Sequence, residues 1–120
     1  MARGKKQNSD TGAGGSTGEP AVSICVESGF YAGLEWPVGT EAIVIGRGRK
    51  ADLTLAEPTI SRTHVRVGRK GPGLYLEDLG STNGTQVNGE RVSRADLRDG
   101  DELRIGKLAL RVNLTGEIDA

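Results

Sequence analysis

The chain has 120 residues, 16 Lys plus Arg against 16 Asp plus Glu, one Cys, one His and 3% aromatic residues. Zero net charge excludes bulk electrostatic attraction to nucleic acid or an anionic membrane, and a lone Cys25 excludes an internal disulfide. With so few aromatics the core must come from Val, Ile and Leu, which together with 19 glycines favours short strands, tight turns and two packed sheets in one all-β domain.

Residues 1–20 are rich in Gly, Ser and charge and carry no large apolar side chain after Met1. Such a segment cannot bury enough surface to offset its ordering entropy and reads as a disordered tail. Arg3, Lys5 and Lys6 suit solubility or a linker better than a targeting or nucleic-acid arm. Ala21 to Glu27 alternates as a first strand, with Val22, Ile24 and Val26 inward and Ser23 and Cys25 outward. Gly33 to Gly39 reads as a second strand at a sheet edge, because Pro37 cannot donate a ladder hydrogen bond, and Trp36 fills the core or its rim. Glu41 to Gly46 is a third strand. It stops in Gly46-Arg47-Gly48-Arg49-Lys50, a cationic loop.

Asp52 to Leu55 is a short strand, after which Glu57-Pro58 turns into Thr59-Ile60-Ser61-Arg62-Thr63-His64. His64 to Val67 alternates again, Lys70 to Gly73 is a turn, and Leu74 to Leu79 is a strand that runs into Gly80-Ser81-Thr82-Asn83-Gly84-Thr85. Asn83-Gly84 and Asn88-Gly89 are hairpin turn dipeptides flanking a very short ladder at Val87. Arg94 to Leu97 is compatible with one helical turn. Leu97 to Asp101 is a turn into Glu102 to Ile105, and Lys107 to Leu114 completes the sheets. The count is about ten to eleven short strands in antiparallel or mixed sheets, with folded residues 21–114 and a C-terminal tail at 115–120.

Charge is uneven along this scaffold. Residues 40–70 hold Arg47, Arg49, Lys50, Arg62, Arg66, Arg69 and Lys70 against Glu41, Asp52 and Glu57, which fits a small anionic ligand or a merely solvated surface. If the loops after Gly46, before His64 and after Leu79 gather at one end, Arg47 and Arg62 supply cationic donors, Ser61, Ser81 and Thr82 hydroxyls, and Asn83 an amide. Charged donors attract a phosphate while neutral ones orient it. Enzymatic readings find little to work with: His64 at a strand start beside an Asn-Gly turn reads as a hydrogen-bond brace, and Asp99 with Asp101 as a turn rather than a metal cage. Gly46-Arg47-Gly48 lacks the helix and the lysine-hydroxyl pair of a nucleotide loop. Neither a metal nor a cofactor is expected.

Taken together, Gly46-Arg47, Ile60-Ser61-Arg62-Thr63-His64, Leu76 to Leu79, Gly80 to Thr85, Val87-Asn88-Gly89 and Asp99-Gly100-Asp101 resemble the forkhead-associated (FHA) domain, over roughly residues 21 to 114. The resemblance implies a β-sandwich that binds phosphothreonine-containing segments of partner proteins in Ser/Thr kinase signalling. By position it makes Arg47 and Ser61 the phosphate ligands, sets Thr82 and Arg62 beside the phosphothreonine, and gives Asn83 the ligand backbone. It leaves Gly46, His64, Ser81, Gly84, Asn88 and Gly89 as structural support. Arg49, Lys50, Thr59 and residues 88–91 fall in the loops that read flanking residues, and Arg49 with Lys50 suggest acidic flanks. The rival is a domain of the same fold that binds a partner without phosphate. A monomer is expected, in the cytoplasm, with Thr11 or Thr17, if phosphorylated, long enough in reach to fold back onto the site.

Overall fold

The computed structural model describes residues 21–115. The tail expected at 1–20 lies outside them, as does 116–120 of the C-terminal tail, whereas Thr115 ends a strand. Eleven strands follow one another: β1 (Ala21–Val26), β2 (Glu35–Pro37), β3 (Ile43–Gly46), β4 (Leu53–Thr54), β5 (Val65–Lys70), β6 (Gly73–Asp78), β7 (Thr85–Val87), β8 (Glu90–Arg91), β9 (Arg94–Leu97), β10 (Glu102–Ile105) and β11 (Leu108–Thr115). They form a five-stranded sheet in the order β9-β6-β5-β3-β4 and a six-stranded sheet in the order β2-β1-β11-β10-β7-β8. The all-β sandwich expected from composition is the fold.

Period-two alternation places the core. Val22, Ile24 and Val26 from β1 and Leu103, Ile105, Leu110 and Val112 from β10 and β11 join Ile45, Val65, Val67 and Leu76 of the other sheet in one buried cluster. Each such side chain contributes about 1.5–3 kcal/mol by leaving water. Trp36 packs half-buried against this cluster, and Pro37 lies on the outermost strand β2. There its missing N–H costs no ladder bond.

Two elements differ from the sequence expectation. Gly33 and Leu34 precede β2 in a turn closed by the bonds Ala32 N to Gly29 O and Leu34 N to Tyr31 O. Arg94 to Leu97 is a strand, β9, paired antiparallel with β6 from Arg94 opposite Glu77 to Leu97 opposite Leu74. One helical turn would satisfy few backbone groups at a high nucleation cost, whereas the open edge of β6 offers a ladder. Leu97 is thereby buried, and Arg94 lies 5.3 Å from the Tyr75 ring centre on the outer face.

Register positions the loops. Ile45 pairs with Val65 and Val65 with Asp78, so β3 ends, β5 begins and β6 ends side by side. Segments 47–52, 55–64 and 79–84 therefore emerge at one end of the sandwich. The last crosses between sheets, from Asp78 to Thr85.

Candidate functional site

Two of these loops are zipped together by their backbones. Arg47 N donates to Ser61 O at 2.9 Å and Gly48 N to Arg62 O at 3.0 Å. The approach requires glycine: a Cβ at Gly46 would run into the Arg62 carbonyl, and one at Gly48 would lie 2.9 Å from Arg62 Cβ. Arg47 Nε donates to Ile60 O at 3.0 Å, which fixes the guanidinium plane and leaves its Nη edge without a protein partner among the described residues.

The third loop joins through Ser61. Its Oγ accepts Thr82 N–H at 3.0 Å, so the hydroxyl hydrogen remains available to an external acceptor. Asn83 reaches the same segment, with Nδ2 donating to Thr59 O at 2.6 Å. Arg62 and Thr82 are exposed. Arg47, Ser61, Arg62, Thr82 and Asn83 thus stand on three loops tied to one another, and no acidic side chain pairs with Arg47 or Arg62 among the described residues. Beside them lies a groove of about 490 Å³ lined by Arg47, Gly48, Arg49, Lys50, Arg62 and Thr63.

Beneath the exposed donors, His64 and Asp78 are each engaged by several internal hydrogen bonds. His64 is 0% exposed; its Nδ1 accepts Ser61 N–H at 3.0 Å, so the ring proton sits on Nε2 and is donated to Gly84 O at 2.8 Å. Both ring nitrogens are used, which leaves none to act as a base. Asp78 is the second hub. Its carboxylate accepts Gly80 N and Ser81 N, both at 2.8 Å, and the hydroxyls of Ser81 and Thr85, both at 2.6 Å. Burial pushes this carboxyl up, but the bonds from Ser81, Thr85 and Gly80 outweigh it and hold the group at about 2. Ser81 Oγ also accepts Gly84 N–H at 3.0 Å, which closes the turn. Gly84 takes φ +85° there, a conformation natural to glycine.

A family model for the FHA domain matches residues 43–106. The chain belongs to the FHA domain family. It is 36% identical over 102 residues to the oxoglutarate dehydrogenase inhibitor of Corynebacterium jeikeium, covering 85% of this chain and 70% of that one. It is 38% identical over 104 residues to the glycogen accumulation regulator GarA of Mycolicibacterium smegmatis, covering 85% of this chain and 65% of that relative. Among solved structures, a chain from a structural and functional study of phosphothreonine-dependent FHA domain interactions superposes with a TM-score of 0.72 at 33% identity, covering 78% of this chain and 95% of that one.

Within this FHA domain the structure does not bring Asn88 and Gly89 to the loop cluster. β7 is three residues long and runs away from it, so Asn88, at φ +52°, braces the opposite end: Nδ2 donates to Asp101 at 3.0 Å and Oδ1 accepts Glu102 N–H at 3.0 Å. Arg91 comes back instead, its guanidinium standing against Gly84. Sequence reasoning missed Asp78 and Thr85 as supports, although an Asp two and three residues before Gly80 and Ser81 is the signature of a side chain capping its own turn. It also missed the Thr59 anchorage. Glu57 accepts both Thr59 N–H and Thr59 O–H, bonds that draw its carboxyl below the usual range, while Thr59 Oγ1 accepts Lys107 N–H at 2.8 Å. Among the described residues, no group of three or more His, Cys, Asp or Glu side chains is placed to hold a metal ion.

Proposed function

We propose that this domain is a phosphopeptide-binding module that recognises phosphothreonine in partner proteins of Ser/Thr kinase signalling, and that it is not an enzyme. One observation carries the reading: Arg47 and Ser61, tied through the same backbone zipper, keep an Nη edge and a hydroxyl hydrogen uncommitted, with no carboxylate to neutralise them. A phosphate carrying about two negative charges fits that donor pair. Arg47 would bind it as a charged fork and Ser61 as a neutral donor, with Thr82 and Arg62 beside it. Asn83 would turn its amide from Thr59 to the ligand backbone. His64, Ser81, Gly46 and Gly84 would hold these donors in place.

The names of the relatives, an inhibitor and a regulator, support a role exerted by binding rather than turnover. The aligned segment spans 70% and 65% of those two chains and 60% of the FHA domain-containing protein FhaB of M. smegmatis, so their partners are not carried over. We place the domain at residues 21–115, one residue beyond the boundary expected from sequence because Thr115 pairs with Ala21, with 1–20 and 116–120 outside it, as a cytoplasmic monomer that needs no cofactor. The described residues contain no helix long and apolar enough to cross a membrane.

Titration calorimetry with matched phosphorylated and unphosphorylated threonine peptides tests the reading. Binding of the phosphorylated form alone is expected, with phosphoserine weaker. Equal affinity for both threonine peptides would favour a phosphate-independent interaction domain of the same fold.

A further inference from the structure

The groove beside the phosphate donors is more cationic than one phosphothreonine requires. Its walls carry Arg47 and Arg62, assigned above to the phosphate, and also Arg49 and Lys50, which make no bond to Ser61, Thr82 or Asn83. All four cations are exposed. The ion pairs among the described residues lie elsewhere, at Arg66–Glu77, Lys70–Asp96 and Arg111–Glu27. The acid of the same loop, Asp52, is turned away: its carboxylate accepts Val44 N–H at 2.7 Å, in the interior of β3. Four positive charges therefore face a ligand phosphate that carries about two negative ones.

The loop that carries the surplus is ordered by its own bonds. Gly48 N is pinned to Arg62 O, Ala51 N donates to Gly48 O at 3.2 Å, and Thr54 Oγ1 lies 3.4 Å from Gly48 O and 3.3 Å from Ala51 O. Arg49 and Lys50 thus project from a closed turn, two and three residues beyond Arg47. Cations held close together without counter-ions repel one another, and an anion relieves that repulsion on binding.

We propose that Arg49 and Lys50 form a second anion subsite and that the preferred ligand is a doubly phosphorylated segment, with a second phosphate within about three residues of the phosphothreonine, as far as an extended chain spans between neighbouring subsites. This rests on the phosphothreonine reading and adds to it a substrate class. Phosphate matches the surplus in charge, and its oxygens accept from guanidinium and ammonium together; a carboxylate supplies half that charge.

The test is calorimetry of the whole chain with four peptides of one sequence: phosphothreonine alone, phosphothreonine with a phosphoserine placed either before or after it, the same with aspartate at that position, and the phosphoserine with unmodified threonine. Two exposed charge pairs should raise affinity about tenfold for the doubly phosphorylated peptide. Aspartate should give a smaller gain, and the gain should shrink as salt rises. In the Arg49→Ser/Lys50→Ser double variant, the ratio of doubly to singly phosphorylated affinity should fall towards one. No gain from a second phosphate, a gain that survives the double variant, or aspartate equalling phosphate would each overturn the subsite. Failure of the singly phosphorylated peptide to bind at all would instead overturn the phosphothreonine reading beneath it.

Discussion

The loop end of this FHA domain holds two regions a few residues apart with opposite polar habits. At the surface, Arg47, Arg49, Lys50 and Arg62 are exposed cations without acidic partners among the described residues. Underneath, His64, Asp78, Ser81 and Thr85 have their donors and acceptors matched within the protein. Buried polar groups must be satisfied internally, because each unmatched one costs about 1–3 kcal/mol. Exposed ones can wait for a ligand. The first region should therefore govern binding and the second stability, with Ser61 belonging to both, since its Oγ holds Thr82 N and its hydrogen is free.

Substitutions can break that division. The largest effect is expected at Gly46→Ala, where the new methyl collides with the Arg62 carbonyl; urea denaturation should show a loss of about 3 kcal/mol or more, and phosphopeptide binding should fall with it because the zipper opens. Next is Asp78→Ala. It strands the fully buried Thr85 hydroxyl and two backbone N–H groups, for about 2–4 kcal/mol of stability. Arg47→Ala should do the reverse: about a hundredfold weaker binding, with stability changed by about 1 kcal/mol or less. Ser61→Ala should sit between them, with about tenfold weaker binding and about 1 kcal/mol of stability lost. A variant at Arg47 as unstable as one at Asp78 would dissolve the distinction.

Acid sharpens it further. The Asp78 carboxyl titrates at about 2 in the folded protein against an ordinary 3.8, so its contribution is fully present above the ordinary value and is lost as the pH falls through about 2. Urea curves recorded between pH 5 and pH 2 should show stability declining in that window. Asp78→Asn should flatten the decline.

Much of the scaffold was legible because alternation is a local signal. Val22, Ile24 and Val26, or Leu108, Leu110 and Val112, declare a buried strand face without help from the rest of the chain. β9 was not legible. Arg94 to Leu97 is a strand only because β6 offers it an edge, and a partner distant in sequence leaves no local trace. Asn88 and Gly89 show the opposite limit: an Asn-Gly pair announces a tight turn but not which end of the sandwich it occupies, and a three-residue β7 sends it away from Ser61. Asp78 was legible in principle, since its bonds to Gly80 and Ser81 are local. Its bond to Thr85, seven residues on, depends on the loop crossing between sheets.

Ligand contacts should fall on the exposed donors of the three loops at one end. Backbone amide shifts followed by NMR during titration with a phosphothreonine peptide test this most directly. The largest changes are expected at residues 47–50, 61–63 and 82–84, with residues 88–89 and 98–101 at the far end unmoved. Shifts concentrated on the outer face of either sheet, with Arg47 and Ser61 silent, would contradict it.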